Sequence, residues 1–338
     1  MNARTNIDPL TKLAIRHGTD KWGAHFYTPI YHELFVELRD KPVRLLEIGV
    51  GGYAFRKVGG ASLAMWADYF QWGKIIGVDV AEKQLNLGPR VTILQGSQAD
   101  GAFLAKVASE HGPFDIVIDD GSHVPEHVTL SFNVLFPAVA DGGFYVIEDV
   151  QTAFWPQYGG SPTGGGDTLK LARSILEGLN HVEVRVAASD WQPSAIATSI
   201  KSFRAHHNLF VIEKGDNTEP STQRFEGNNS HVVSAVASIE REMANTPTPE
   251  GLAHLALMYS LIGQTQRALE TVQRGLAAWP HHLRLLTLGS RIAGHAGDRL
   301  TQVKLLERAV AVDPADPILA RLLLRTQDAK APISEPID

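Results

Sequence analysis

The chain contains no cysteine. That excludes disulfides, thiol nucleophiles and thiolate metal sites, and it suits a cytoplasmic setting. No apolar run reaches the length of about 18 residues that a membrane helix needs. The opening stretch, MNARTNIDPLTK, lacks a charged segment followed by an apolar one, so neither a membrane span nor a signal peptide is expected. An excess of positive charge is also missing, with 31 Lys+Arg against 37 Asp+Glu and a formal net charge of −6. From Glu240 onward the two signs balance at 11 each, so the whole deficit falls ahead of that residue. Such a front half argues against nucleic acid as a partner and suits a cation or a neutral substrate.

What is present is a chain of 338 residues with 44% hydrophobic content, enough for one large domain or two ordinary ones. Between Arg44 and Ile212, short apolar runs alternate with stretches of helical spacing. The runs are RLLEI (44–48), KIIGVDV (74–80), RVTILQG (90–96), FDIVIDD (114–120), GGFYVIED (142–149), VEVRVA (182–187) and LFVIEK (209–214). The helical stretches cover 60–70, 101–111, 125–138 and 167–179, with apolar residues every three or four positions. Continuous apolar strands between helices mean a parallel sheet covered on both faces. The expected fold class is α/β, a doubly wound, mostly parallel, seven-stranded Rossmann-like sheet over residues 1–230.

Past Val233 no strand-like run remains. Gly263 and Gly297 are 34 residues apart, as are Pro280 and Pro314. Ala256, Tyr259, Ala268 and Pro280 fall where a tetratricopeptide repeat carries small, aromatic, small and helix-stopping residues. Ser290, Ala309 and Pro314 echo them, although Ala293 and Gln302 stand where Tyr and Ala are usual. The spacing predicts two helix pairs over 249–314 and a capping helix over 315–327, within an all-α helical-repeat domain at 231–328 that leaves a tail at 329–338. An ordinary helical extension is the alternative.

Within the sheet, LEIGVGG (46–52) is a glycine-rich turn after an apolar strand, and Asp79 ends the next strand, placed to accept hydrogen bonds from ribose hydroxyls. Glu47 makes the turn E-x-G-x-G rather than G-x-G-x-x-G, and an acid there suits a cationic methionine tail better than a pyrophosphate. Residues 53–59 also separate the turn from the next helix, which displaces the anion-binding helix terminus. S-adenosylmethionine is favoured over a nicotinamide, with Gln95, Gly96, Ser97 and Gln98 offering polar groups near the adenine.

The fourth and fifth strands end in Asp119-Asp120 and Glu148-Asp149, at the carboxyl edge where such sheets bind ligands. Crowded acids repel unless a cation or a shared proton relieves them. With oxygen donors and no thiol, Mg²⁺ is the favoured ion. A vicinal diol could fill its open positions, and His123, with an ordinary pKa of about 6.5, could take the hydroxyl proton. Adjacent strand residues point to opposite faces, so Asp119 is expected to be structural and Asp120 to face the site. His123 could instead act through another group, and His127 is expected on a helix face. The segment 151–167, with Trp155, Tyr158 and five glycines (Gly159, Gly160, Gly164, Gly165, Gly166), reads as a lid or a linker.

Together, GTDKWGAHFYTPIY (18–31), LLEIGVGGY (45–53), GGASLAMW (59–66), QGSQ (95–98), FDIVIDDGSHVPEHV (114–128), SFNVLFP (131–137), YVIEDVQTAFWPQYGG (145–160) and HNLFVIEKGDN (207–217) resemble the macrolide sugar O-methyltransferases of the mycinamicin and tylosin type. The resemblance spans about residues 15–220. It implies a metal-dependent enzyme of antibiotic biosynthesis that methylates deoxysugar hydroxyls, with S-adenosyl-L-methionine and Mg²⁺ as cofactors. It implies Asp120, Glu148 and Asp149 as metal ligands and His123 as general base. Cofactor contacts are implied at Glu47, Gly49, Gly51, Tyr53, Ser62, Asp79, Ser97 and Gln98. The helical region departs from that family and opens the acceptor to a polysaccharide, a lipid-linked sugar or a carrier-bound intermediate. Segment 18–31 is expected either to fold over the cofactor or to pack in the core. A glycosylated small molecule or glycan is the expected partner, and a protein partner at the repeats and self-association are compatible with the sequence. The alternatives are a cephalosporin hydroxylase-like enzyme and a non-catalytic helical-repeat interaction protein.

Overall fold

A computed structural model of the chain describes residues 7–164, 166–188, 190–221 and 227–328. The expected tail at 329–338 and the lid glycine Gly165 lie outside the described residues. The chain divides at Asn217/Thr218 into two compact units, ahead of the boundary expected after residue 230.

The first unit opens with two helices, α1 (Pro9–His17) and α2 (Thr28–Phe35), followed by a seven-stranded sheet. Its strands are β1 (Arg44–Ile48), β2 (Lys74–Asp79), β3 (Val91–Gln95), β4 (Phe114–Asp119), β5 (Val139–Ile147), β6 (Ile200–His206) and β7 (Leu209–Lys214). They lie in the order β3-β2-β1-β4-β5-β7-β6. The first five are parallel, whereas β7 runs antiparallel to β5 and β6 antiparallel to β7. The order reverses between β1 and β4, which opens a crevice at their carboxyl ends.

Alternation along each strand sends successive side chains to opposite faces. Leu46, Ile48, Val117, Tyr145 and Ile147 join one core with Phe132 and Phe136, beneath α5 (Pro125–Leu135). Leu45, Ile116 and Ile118 join the other, with Tyr31, Phe35, Leu63 and Trp66 from α2 and α3 (Ala61–Tyr69). The helices α4 (Gly101–His111) and α6 (Gly166–Leu179) complete the layers. The central parallel strands β1, β2 and β4 are mostly apolar because both faces are covered, whereas the edge strand β3 is only partly buried.

One expected strand is corrected. Residues 182–187, VEVRVA, lie in a helix, α7 (His181–Ala187), and the seventh strand is β6, which lies past that run. The β6–β7 hairpin closes through His207 and Asn208, with Asn208 in the left-handed region at φ 61°. Pairing through so tight a turn costs little chain entropy and takes the sheet edge that the 182–187 run would need.

The second unit is helical, with α8 (Ser230–Asn245), α9 (Pro249–Leu261), α10 (Thr265–Ala278), α11 (Leu283–His295), α12 (Arg299–Val312) and α13 (Pro317–Gln327). Each packs on the next, around Leu252, Ala256, Tyr259, Ala268, Leu285, Ile292 and Ala309. Gly263 and Gly297 follow α9 and α11, both at φ 75°, where an αL residue stops the helix and turns the chain. No helix among the described residues is long and apolar enough to cross a membrane.

Candidate active site

The turn after β1 comes so close to the end of β4 that only glycine fits. A Cβ on Gly49, at φ 96°, would lie 2.0 Å from the carbonyl oxygen of Asp120. Beside it, the carboxylate of Glu47 is fully buried and accepts hydrogen bonds from Ser62 Oγ and Trp66 Nε1 of α3. Burial raises its pKa against the pull of Lys21, whose Nζ is 3.8 Å away. Asp79, ending β2, accepts from the backbone N–H of Val50 at 3.1 Å and of Ala81 at 2.8 Å. Lys83 donates at 2.6 Å to the carbonyls of both Gly51 and Tyr53, which pins the loop that follows. Tyr53 is 90% exposed at φ 50°, and the Cα of Gly51 faces open space.

After β3, Ser97 Oγ accepts from the Ala99 N–H at 3.1 Å. Gln98 is buried and its amide is spent on the protein. Nε2 donates to Asp119 Oδ1 at 2.6 Å, while Oε1 accepts the Ser122 N–H at 2.9 Å. Of the residues expected to contact the cofactor, Glu47, Gly49 and Gly51 lie at the end of β1 or in the turn after it, Asp79 ends β2, and Ser97 and Gln98 follow β3. Ser62 bonds to Glu47, and Gln98 bonds to Asp119 and Ser122.

At the ends of β4 and β5, one carboxylate oxygen each of Asp120 and Asp149 and one ring nitrogen of His123 lie within 4.8 Å of one another, a group able to hold a metal ion. His123 Nε2 is 4.0 Å from Asp120 Oδ1 and 3.7 Å from Asp149 Oδ2. Two of these residues sit in left-handed backbone, His123 at φ 56° and Asp149 at φ 52°. Such strain persists only where the surroundings enforce it, and it concentrates at functional sites. Here Thr152 ties both, its hydroxyl within hydrogen-bonding distance of the carbonyls of His123 at 3.2 Å and Asp149 at 2.7 Å. His127 instead pairs through Nδ1 with Ser122 Oγ at 2.9 Å.

Glu148 is not drawn into that trio. It is buried, and its Oε1 accepts from Lys21 Nζ at 2.7 Å and Tyr31 OH at 2.5 Å. Burial and the neighbouring Asp120 raise its pKa, and Lys21 opposes them. The segment expected as a lid folds into two short 3₁₀ turns, Val150–Phe154 and Pro156–Tyr158, which bring the Tyr158 ring to 6.2 Å from that of His123.

Segment 18–31 brings side chains to the acids at these strand ends. Lys21, only 1% exposed, also bonds Asp120 Oδ2 at 2.7 Å. Burial would lower its pKa, but Asp120, Glu148 and Glu47 together hold it well above the ordinary lysine range. Tyr27 donates to Asp149 Oδ1 at 2.8 Å, with His25 Nδ1 at 3.4 Å from the same oxygen. Lys21 was absent from the residues expected at the site. A lysine in an aromatic run reads as surface, and the one sequence signal for it is that clustered acids need a cation.

No family model matches the chain. It is 50% identical over 220 residues to the 8-demethyl-8-(2-methoxy-alpha-L-rhamnosyl)-tetracenomycin-C 3'-O-methyltransferase of Streptomyces olivaceus, covering 64% of this chain and 56% of that one. It is 42% identical over 214 residues to the mycinamicin VI 2''-O-methyltransferase of Micromonospora griseorubida, covering 62% and 53%. Among solved structures, the MycE methyltransferase of the mycinamycin pathway, in complex with Mg and SAH, is similar at a TM-score of 0.62 and 38% identity over 68% of this chain and 60% of that one. The chain thus spans little more than half the length of the curated relatives it matches. Its homologues are sugar O-methyltransferases of the macrolide and tetracenomycin type, and its seven-stranded sheet is that of a Rossmann-like methyltransferase.

Proposed function

We propose that the chain transfers the methyl group of S-adenosylmethionine to a sugar hydroxyl of a glycosylated natural product or glycan. The observation that carries this is the convergence of Asp120, His123 and Asp149 at one point beside the glycine turn. Its carboxylate oxygens fit Mg²⁺, which MycE holds together with SAH, and its imidazole is the neighbouring base. Asp120, Glu148 and Asp149 would hold the ion, Glu148 through the carboxylate that Lys21 and Tyr31 anchor. Bound there, Mg²⁺ supplies a Lewis acid that acidifies the acceptor hydroxyl, and S-adenosylmethionine supplies the electrophilic methyl group.

The chain's own residues do the rest. His123 Nε2 accepts the hydroxyl proton, and Asp149 Oδ2, 3.7 Å away, stabilises the imidazolium that results. Glu47, buried beside the glycine turn, would be the acid nearest the sulfonium. Asp79 would accept from ribose hydroxyls, and Ser97 and the backbone around Gln98 would line the adenine end. Gly49 and Gly51 keep the turn thin enough for close approach. A glycosylated macrolide is favoured as acceptor by the MycE complex with mycinamycin VI, which is similar to this chain at a TM-score of 0.57. We read the second unit as a tetratricopeptide-like repeat domain that serves a protein partner, and the setting as cytoplasmic. The test is incubation with labelled S-adenosylmethionine, Mg²⁺ and a panel of glycosides, with the label traced by mass spectrometry. Label on no sugar of the panel, or transfer that persists in excess chelator, would overturn the reading.

A further inference from the structure

Three acids at the strand ends share one feature: a single oxygen of each is gripped by segment 18–31. Lys21 Nζ takes Asp120 Oδ2 at 2.7 Å, and it is the other oxygen, Oδ1, that lies 4.0 Å from His123 Nε2. Tyr27 OH takes Asp149 Oδ1 at 2.8 Å, and Oδ2 is the oxygen 3.7 Å from the same ring nitrogen. Lys21 and Tyr31 both take Glu148 Oε1. In each aspartate, then, one oxygen is an anchor and the other is presented to the cluster. The terminal torsion of a carboxylate is soft and roughly two-fold, so without an anchor its oxygens would sweep a wide arc.

We propose that Lys21 and Tyr27 are positioning residues that aim Asp120 Oδ1 and Asp149 Oδ2 at the point they share with His123, and so set the affinity of this cluster for a divalent cation. The inference rests on the metal-dependent reading above. Neither residue belongs to the cation-holding set. Lys21 carries a positive charge, and the Tyr27 hydroxyl is committed to Asp149 and to the carbonyl of Asn208 at 3.1 Å. Partners of this kind change metal affinity by about 10- to 100-fold when they are removed. Both sit in the first unit yet far from the acids in sequence, 99 residues separating Lys21 from Asp120 and 122 separating Tyr27 from Asp149.

The experiment titrates Mn²⁺ into the full chain with saturating SAH and follows free Mn²⁺ by electron paramagnetic resonance. Four proteins are compared: wild type, Lys21→Met, Tyr27→Phe and Asp120→Asn. The expected result is Mn²⁺ binding weakened about tenfold in Tyr27→Phe and more in Lys21→Met, with SAH affinity held within about twofold in both. Tyr27→Phe keeps the ring and loses one hydroxyl, so it decides the matter should Lys21→Met fail to fold. Wild-type Mn²⁺ affinity in Tyr27→Phe, or in a folded Lys21→Met, overturns the inference while Asp120→Asn is impaired. Equal losses of SAH and Mn²⁺ affinity overturn it too, since they mean general loosening. A wild-type protein that binds no Mn²⁺ overturns the metal reading and the inference together.

Discussion

Asp119 and Asp120 are neighbours in the chain and face opposite sides of the sheet. Asp119 turns toward α5, where Oδ1 accepts from Gln98 at 2.6 Å and Oδ2 from Ser131 at 2.5 Å and Tyr145 at 3.3 Å. Asp120, one residue on, turns toward Lys21 and His123. The strand's two-residue period makes one acid a core fixture and the other a site residue.

Asp119 gives the protein a pH-dependent stability. Burial pushes its pKa up to about 6 from 3.8, against hydrogen bonds from Ser131 and Gln98. The folded chain keeps a proton that the unfolded chain releases, so this stability is complete below about pH 4 and is lost as pH rises through about 6. The loss amounts to roughly 3 kcal/mol at about 1.4 kcal/mol per pH unit. Asp119→Asn should remove that dependence. Thermal melts of wild type and variant at pH 4.5 and 7 check it, and an identical change in both would contradict the account.

His123→Ala should lower turnover by about 10² to 10⁴-fold, the usual contribution of a positioned base. SAH affinity, measured by calorimetry, should stay within about twofold because the ring lies against Asp120, Asp149 and Tyr158. A loss of turnover under about tenfold would assign the proton to another residue.

Asp120→Asn should raise the Mg²⁺ concentration for half-maximal activity by more than about tenfold. Chelator should abolish wild-type turnover and added Mg²⁺ should restore it. Activity indifferent to both treatments would remove the ion from the reaction.

Gly49 and Gly51 should respond differently to alanine. At Gly49 the new methyl group would meet Asp120 carbonyl at 2.0 Å, so Gly49→Ala should cost more than about 2 kcal/mol and impair SAH binding. Gly51 faces open space at φ 74°, so Gly51→Ala carries only the backbone cost of about 1 kcal/mol. Denaturant melts and SAH titration of both variants compare them, and equal stability of the two would refute the close-approach argument.

Much of this was legible in the chain itself. The apolar runs at 44–48, 74–80, 90–96 and 114–120 carry strands because parallel strands covered on both faces need no polar face, and 209–214 carries the antiparallel strand beside them. The glycines at 263 and 297 mark helix ends because an αL residue there stops the helix and turns the chain. VEVRVA at 182–187 misled because its alternation is local, while the choice of edge strand was made by a hairpin downstream.

By itself, the sequence determined which segments are apolar, where they turn, and that acids end two of the strands with an imidazole close behind one, since these follow from short-range patterns. Only the tertiary structure decided which oxygen of each acid faces the cluster and which is held by Lys21 or Tyr27. Those contacts join residues about a hundred positions apart, and no local pattern encodes which buried charge will meet which.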